Sequence, residues 1–152
     1  MQLSDYLKPE LVLFLKGKTK NSCIRELIEA LVAVDGSLQA ERLTEAVLHR
    51  ESLMSTGIGL GIGVPHVRIE DVSHPYVAVG VHKEGLKDYE SLDGRPVQIV
   101  VLIIAGKSQH QLYIKLLASV TSLLKREEIR QRIINAESPQ EVYRIMTESD
   151  DR

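Results

Sequence analysis

A histidine at the end of a glycine-rich stretch is the residue of this sequence best suited to chemistry. Glycine occupies every second position from 57 to 63, and Val64-Pro65 then leads to His66. Glycine lets a backbone turn tightly and approach a ligand, whereas proline fixes its own φ and favours an extended residue before it. The pattern therefore predicts a compliant loop, rich in free amide N–H groups, that ends in a rigid support for an imidazole. Such a site could bring the imidazole to an anionic group such as a phosphate.

The helix predicted before this stretch brings an arginine to the same place. An apolar stripe of Leu43, Ala46 and Val47 predicts a helix over about 39–51, and Arg50 is the next position on that stripe. Two interpretations of this inward-facing arginine stay open. Its charge reaches solvent or a carboxylate at the edge of the core, or it forms an anion site with the glycine-rich stretch.

The spacing of the glycines excludes the two best-known nucleotide-binding loops. No Gly-Lys-Ser/Thr follows, so this is not a Walker A loop, and the dinucleotide fingerprint needs G-x-G-x-x-G between a strand and a helix. Here the spacing is G-x-G-x-G-x-G after a helix. A strand crowded against another element would explain the alternation of glycine with Ile and Leu. It would not explain Ser55-Thr56 before the glycines or Pro65-His66 after them.

The composition argues against some classes of partner and indicates a cellular compartment. The 152 residues carry a net charge of −2 and only 4% aromatic residues, which argues against a nucleic-acid surface. No apolar run approaches the roughly 20 residues that span a bilayer, and the N-terminus lacks the pattern of a secretory signal, so we expect no membrane insertion. A single cysteine, Cys23, cannot form an internal disulfide, which fits a cytoplasmic protein.

The remaining histidines form no pattern that indicates a metal or a hydrolase. One cysteine and five scattered histidines do not supply the four closely spaced ligands of a zinc site, and no G-x-S-x-G elbow is present. We therefore expect no metal and no cofactor. For His49 on a polar helix face, His74 in a loop and His82 at the end of a strand we expect no chemical role.

Periodicity predicts an α/β fold, with helices on both faces of a small sheet, in one domain over 1–152. Apolar runs predict strands at 11–15, 76–81 and 97–104, the last of them buried on both faces. Helical stripes follow four further sets of residues: 24–32, 112–124, 129–133 and 142–146. Thr19 or Asn21 is a candidate cap for the first of these helices. Ser138 and Glu141 predict a capping box for the last, and the tail 148–152 is expected to fray.

The motif Arg50-Glu51-(x)3-Ser55-Thr56-Gly57-Ile58-Gly59-(x)-Gly61-Ile62-(x)-Val64-Pro65-His66 resembles an active-site signature. It is similar to that of the fructose/mannitol-type enzyme IIA domains of the bacterial phosphoenolpyruvate:sugar phosphotransferase system, including the nitrogen-regulatory, PtsN-like branch. The resemblance extends over nearly the whole chain and includes segments 93–97 and 133–142.

The resemblance implies a small mixed β-sheet flanked by helices and a phosphocarrier function without a cofactor. His66 corresponds to the phosphorylated histidine, and Arg50 to the arginine that binds phosphate oxygens. Thr56, and Ser55 with it, are expected to add hydroxyl donors, and loop amides such as that of Gly61 to add more. The donor would be an HPr-type phosphohistidine protein, and the acceptor an enzyme IIB in sugar transport or a target protein in nitrogen regulation.

Two departures from the family pattern affect this site. Relatives carry a second histidine in a His-Leu-x-x-Leu-Ala pattern, and Tyr113 takes that place here. His110, one helical turn earlier, is a possible substitute. Val67 stands where relatives usually have glycine.

The length of the chain, without fused segments, favours a regulatory function over sugar transport. Tyr113 keeps an alternative open: a regulatory binding module that works without phosphorylation. A small-anion-binding or hydrolytic protein with the same arginine and histidine is a third interpretation.

Overall fold

The computed structural model describes residues 2–70 and 72–150. Within these ranges the strands are β1 (Leu7–Phe14), β2 (Gly57–Gly59), β3 (Ile62–Gly63), β4 (His66–Ile69), β5 (Tyr76–Leu86) and β6 (Val97–Gly106). The helices are α1 (Lys20–Val34), α2 (Ala40–Leu53), α3 (His110–Leu124), α4 (Glu127–Ile134) and α5 (Pro139–Ser149), and a short 3-10 turn covers Leu3–Asp5. The predicted α/β class is confirmed.

The sheet is mixed, and β6 is its central strand. The strand order is β1-β5-β6-β3-β2, and β4 also pairs with β6. Strand β6 runs antiparallel to β5 and parallel to β3 and β4. All of its residues are buried except the half-buried Gln98, as its near-continuous β-branched sequence predicts for a strand covered on both faces.

The helices form two groups that cover the sheet. Helix α1 packs on β1 and β5, and α2 packs on α1 and β4. On the other side α3 packs on β6, α4 on β5 and α5 on β1. Most of the apolar stripe of α1 lies in the core: Ile24, Leu27, Ile28 and Leu31 are at most 1% exposed, and Val32 is half-buried at its edge. Burial of these stripes is the main term that holds the helices on the sheet.

Most predicted elements are present with shifted ends. The strand predicted at 11–15 covers 7–14, that at 76–81 continues to 86, and the helix predicted over about 39–51 covers 40–53. Strands β2, β3 and β4 were not predicted, because each is too short to show an alternating pattern. His82 therefore lies within β5 rather than at the end of a strand.

Two predictions for the C-terminal part of the chain, the capping box of α5 and the frayed tail, are wrong in part. Ser138 does cap α5, since its Oγ accepts a hydrogen bond from Glu141 N at 3.1 Å. The carboxylate of Glu141, however, accepts from the amide of Glu137, so the predicted capping box is wrong in that half. The tail does not fray up to Asp150, which is 7% exposed and accepts a bond from Leu3 N at 2.6 Å. Residues 151–152 lie outside the described part of the chain.

No helix in the described ranges is both long and apolar enough to cross a bilayer.

The start of α1 is capped as predicted, since Oγ1 of Thr19 accepts from Ser22 N at 3.1 Å. This cap fixes the position of Lys20, the first residue of the helix. That position matters because Lys20 takes part in the buried network described below.

Candidate functional site

The candidate nucleophile is His66, the first residue of β4. Its strand partner in β6 is Ile103, whose amide also donates to the carbonyl of Pro65 at 3.0 Å. Ring atom Nδ1 lies 2.6 Å from the carbonyl oxygen of Val64. A carbonyl can only accept, so Nδ1 carries the proton in the neutral ring, and the lone pair is on Nε2. The local backbone thus selects the nitrogen that can act as a nucleophile.

The surroundings of His66 favour its neutral form. Burial of the ring lowers its pKa below the ordinary value, and the positive charge of Arg50 lowers it further. The hydrogen bond to Val64 and the charge of Glu51 act in the opposite direction, with smaller total effect. An imidazole with a lowered pKa is unprotonated at neutral pH, as a nucleophile must be.

Arg50 lies in the last turn of α2, beside the imidazole. Its Nη1 donates to the carbonyl of Met54 at 2.9 Å, and its charge acts on both His66 and Tyr113. Within the described residues no carboxylate forms an ion pair with Arg50. The interpretation in which Arg50 pairs with a carboxylate at the edge of the core is therefore not observed among these residues.

The next residue, Glu51, is the centre of a buried network that the sequence did not reveal. Its side chain is 3% exposed, and its Oε1 lies 2.7 Å from Nζ of Lys20, whose side chain is 14% exposed. The amide of Thr56 donates to Oε1 at 3.2 Å, and the hydroxyl of Thr56 donates to Oε2. The network ties the starts of α1 and of the glycine-rich stretch to the end of α2.

Tyr89 completes this network from the other side. Its hydroxyl lies 2.6 Å from Oγ1 of Thr56, and since Thr56 donates to Glu51, Tyr89 is the donor. Burial raises the pKa of Tyr89 well above its usual value, so the donor proton is retained. The hydroxyl of Thr56 is thus committed to Glu51, and a contact with phosphate would require it to leave that carboxylate.

The alternating glycines form a tight hairpin of β2 and β3. Gly59 and Gly61 have φ of +93° and +76°, which side chains other than glycine rarely adopt. A Cβ on Gly63 would lie 2.5 Å from Cζ of Tyr89, and one on Gly57 would lie 2.1 Å from the carbonyl oxygen of Glu90. Close packing thus accounts for Gly57 and Gly63, as in a crowded strand, and positive φ accounts for Gly59 and Gly61.

Several amides of this hairpin are already hydrogen bonded within the chain. Leu60 N donates to Oδ2 of Asp93 at 2.8 Å, and Val64 N donates to the carbonyl of Thr56 at 3.1 Å. The expectation of a loop with free amides is wrong for these positions. Gly61 acts mainly through its carbonyl, which accepts from the amides of Gln98 and Ile99.

Ser55 is also engaged in holding the hairpin in place. Its hydroxyl donates to the carbonyl of Glu90 at 2.6 Å and accepts from Gly57 N at 3.3 Å. Ser55 and Thr56 thus fix the segment that begins at Tyr89 against the hairpin. Both hydroxyls precede the histidine in sequence, but in this structure they bind protein groups.

Tyr113 from α3 forms the opposite wall of the site. Its ring centroid lies 5.6 Å from that of His66, with 52° between the ring planes. Burial raises the pKa of Tyr113 to about 12, against the lowering effect of Arg50 and Arg68, so its hydroxyl is neutral and can donate. His110 is exposed at the start of α3, beside a cavity lined by residues 108–112 and Lys115. Tyr113, not His110, is therefore the residue of this helix that contacts the imidazole.

Arg68 is a second arginine near Tyr113 that no pattern in the sequence indicated. Its Cζ lies 5.7 Å from the ring centroid of Tyr113. An open cavity of about 430 Å³ adjoins it. The lining residues are Arg42, Ala46, His49, Arg50, Leu53, Val67, Arg68, Ile69, Glu70 and Lys107. The signal that could have found Arg68 is its spacing of two from His66, had β4 been predicted.

The other histidines lie apart from the imidazole of His66. His49 is exposed on α2, His74 packs between the rings of Tyr6 and Tyr76, and Nε2 of His82 lies 2.8 Å from the carbonyl of Gly17. Within the described part of the chain, no three His, Cys, Asp or Glu side chains converge as metal ligands would.

Comparison with known sequences identifies relatives over nearly the whole chain. A family model described as "Phosphoenolpyruvate-dependent sugar phosphotransferase system, EIIA 2" matches residues 5–149. The PTS system fructose-specific EIIABC component of Bacillus subtilis is 36% identical over 99% of this chain, which spans 24% of that protein. A nitrogen regulatory protein of Klebsiella oxytoca is 30% identical over 98% of this chain and 92% of its own length.

Solved structures give the same result for the fold. Nitrogen regulatory protein IIA-Ntr of Neisseria meningitidis matches with a TM-score of 0.87 and 23% identity, over 95% of this chain and 99% of that one. Enzyme IIA-mannitol of Escherichia coli, solved as a complex with phosphorylated enzyme IIB-mannitol, matches with a TM-score of 0.73 and 29% identity, over 92% and 97%.

Proposed function

The chain belongs to the EIIA 2 family of the phosphoenolpyruvate-dependent sugar phosphotransferase system, and from this premise we propose that it is a phosphocarrier that accepts a phosphoryl group on Nε2 of His66. The observation that carries the proposal is the 2.6 Å contact of Nδ1 with the carbonyl of Val64. It puts the lone pair on Nε2, in a ring whose pKa is lowered mainly by burial.

The transfer is a displacement at phosphorus. The lone pair of Nε2 attacks in line, the P–N bond of the donor phosphohistidine breaks, and its electron pair returns to the donor's imidazole. No proton has to leave His66. The proton on Nδ1 stays in the hydrogen bond to Val64, which stabilises the positive charge that the ring acquires.

Arg50 and Tyr113 act on the transferred group. The guanidinium of Arg50 offers paired N–H donors to the phosphoryl oxygens, and the neutral hydroxyl of Tyr113 offers one more. The network of Lys20, Glu51 and Thr56 acts indirectly: it holds the end of α2, and hence Arg50, beside the stretch that leads to His66.

The donor in this proposal is an HPr-type phosphohistidine protein. The acceptor is either an enzyme IIB or a regulatory target protein, because the relatives include both a fructose-specific component and nitrogen regulatory proteins. Support for a IIB acceptor comes from the IIA-mannitol neighbour, which was solved with phosphorylated IIB-mannitol. In either case the group to be passed on would be the phosphoryl group on His66.

The test is phosphorylation by phosphoenolpyruvate, enzyme I and an HPr-type protein, followed by mapping of the acid-labile phosphate. We expect one phosphoryl group on wild type and none on His66→Ala. His110→Ala is the matched control, since its exposed imidazole lies outside the site, and it should be labelled as wild type is. Absence of label on wild type, beside a labelled reference EIIA protein, would overturn the proposal, as would label that survives His66→Ala.

One observation favours a second candidate, a regulatory binding module that works without phosphorylation. Tyr113 faces the imidazole where relatives carry a second histidine, and a tyrosine cannot provide the positive charge of an imidazolium. In that case pull-down with His66→Ala would recover the same partners as wild type, and wild type would stay unlabelled in the assay above. Loss of partners on phosphorylation, or on His66→Glu, would instead favour the phosphocarrier.

A further inference from the structure

We propose that Arg68 binds the phosphoryl group on His66 together with Arg50, and so provides the positive charge that Tyr113 cannot. This inference rests on the proposed phosphocarrier function. It assigns a second anion-binding residue to the site. Three observations carry it: the strand geometry of β4, the distance of the Arg68 guanidinium from the ring of Tyr113, and the lack of a carboxylate partner for Arg68 among the residues that the structure describes.

The strand geometry puts Arg68 on the same side of the sheet as His66. Both residues belong to β4, where they pair with Ala105 and Ile103 of β6. Residues two apart in a strand point to the same face, and their Cα atoms lie about 6.5 Å apart. An extended arginine side chain is long enough to bridge that separation.

The ring of Tyr113 lies near both the imidazole of His66 and the guanidinium of Arg68. The centroid of Tyr113 lies 5.6 Å from that of His66 and 5.7 Å from Cζ of Arg68. A guanidinium within about 6 Å of a tyrosine ring is attracted to it and keeps its charge. The same ring therefore contacts both the nucleophile and the second arginine.

The guanidinium of Arg68 keeps donors available for an anion. Its one hydrogen bond among the described residues is a long one, 3.4 Å from Nη1 to the carbonyl of Lys107. The carboxylate nearest in sequence, Glu70, lies 3.8 Å from Nζ of Lys107 instead. Arg68 and Arg50 both line the same open cavity, so both guanidinium groups can be reached from solvent.

Charge provides the reason for a second arginine. The transferring phosphoryl group carries negative charge on its three outer oxygens, and transfer is accelerated by cations fixed around them. Tyr113 is neutral, so a second guanidinium would add its charge to that of Arg50.

The test compares Arg68→Gln with Lys107→Gln in two phosphorylation assays. Both variants lose one positive charge from the lining of the same cavity, but the side chain of Lys107 is 63% exposed and its Nζ lies 3.8 Å from Glu70. One assay uses the HPr-type donor, and the other uses phosphoramidate, a small donor that needs no docking surface. Circular dichroism and urea unfolding verify that each variant is folded.

We expect Arg68→Gln to be phosphorylated on His66 about 100-fold more slowly with both donors, the lower end of the range for loss of one transition-state donor. Lys107→Gln should stay within about twofold of wild type, since an exposed charge pair contributes little. Arg68→Lys should recover part of the rate, because it restores the charge but not the paired donors.

Two results would overturn the assignment of Arg68. One is a rate for Arg68→Gln equal to that of wild type or of Lys107→Gln. The other is a loss confined to the HPr-type donor, which would make Arg68 a docking residue. Both require that wild type is labelled on His66, so they are distinct from failure of the phosphocarrier proposal, in which wild type itself takes no label.

Discussion

Replacement of Lys20 by methionine tests the buried network that supports the site. The variant removes the cation and keeps a chain of similar length over the ring of Tyr89, from which Nζ lies 4.5 Å. It leaves the carboxylate of Glu51, 3% exposed, without its positive partner. The carboxylate then keeps only the hydrogen bonds from Thr56.

The expected loss of unfolding free energy is about 3 kcal/mol. Removal of one partner of a buried ion pair costs roughly 3–5 kcal/mol, and the lower end applies because the side chain of Lys20 is 14% exposed. For a urea m-value of about 2 kcal/mol/M, this loss lowers the unfolding midpoint by ~1.5 M. The same variant should also slow phosphorylation. Glu51 fixes the end of α2, and Arg50, the residue before it, would lose its position if Glu51 moved.

Urea unfolding followed by circular dichroism measures the midpoint, with Lys18→Met as the matched control. Lys18 is an exposed lysine just before the cap of α1, and its replacement should change stability by less than about 0.5 kcal/mol. The double variant Lys20→Met/Glu51→Gln removes both charges. It should be more stable than Lys20→Met alone, since no unpaired charge stays buried.

A loss below about 1 kcal/mol for Lys20→Met would refute this reasoning, because that is the value of an exposed pair. A double variant less stable than Lys20→Met would refute it as well. Either result would mean that the ion pair does not hold the end of α2 against the glycine hairpin.

Two further predictions concern His66 and the glycine hairpin. Because burial lowers the pKa of His66, the phosphorylation rate should stay level from pH 8 down to about 6.5 and fall only below the ordinary histidine value. In that acidic range the unfolded chain binds a proton that the folded imidazole does not, so stability should decrease with falling pH. Urea midpoints of wild type and His66→Gln at several pH values measure this decrease. An equal change of the midpoint with pH in the two proteins would contradict the prediction. Gly63→Ala should destabilise the fold by about 1–3 kcal/mol, because its Cβ would lie 2.5 Å from Cζ of the buried Tyr89. Gly36→Ala, whose Cβ meets nothing within 4 Å, is the control in the same unfolding measurement, and equal losses in the two variants would argue against the crowding.

The sequence alone was sufficient for the elements with a long, regular pattern. The stripe of α1 and the β-branched run of β6 each indicate which residues must be buried, because helical and strand periods assign side chains to faces. These features are local, so neighbouring residues contain the information that specifies them. The assignment of phosphate binding to the motif from Arg50 to His66 stays a prediction, and the hydroxyls of Ser55 and Thr56 in it bind protein groups in this structure.

The tertiary structure decided which side chains meet. Glu51 follows Arg50 directly, yet only the packing of α1 against α2 shows that it is buried on Lys20 rather than solvated. Tyr113 reaches His66 from a helix far along the chain, and Arg68 joins it because β4 pairs with β6. A charge can be buried, and an imidazole can have a partner, only where distant segments supply the matching groups. The sequence pattern of one segment does not show which groups from distant segments it will meet.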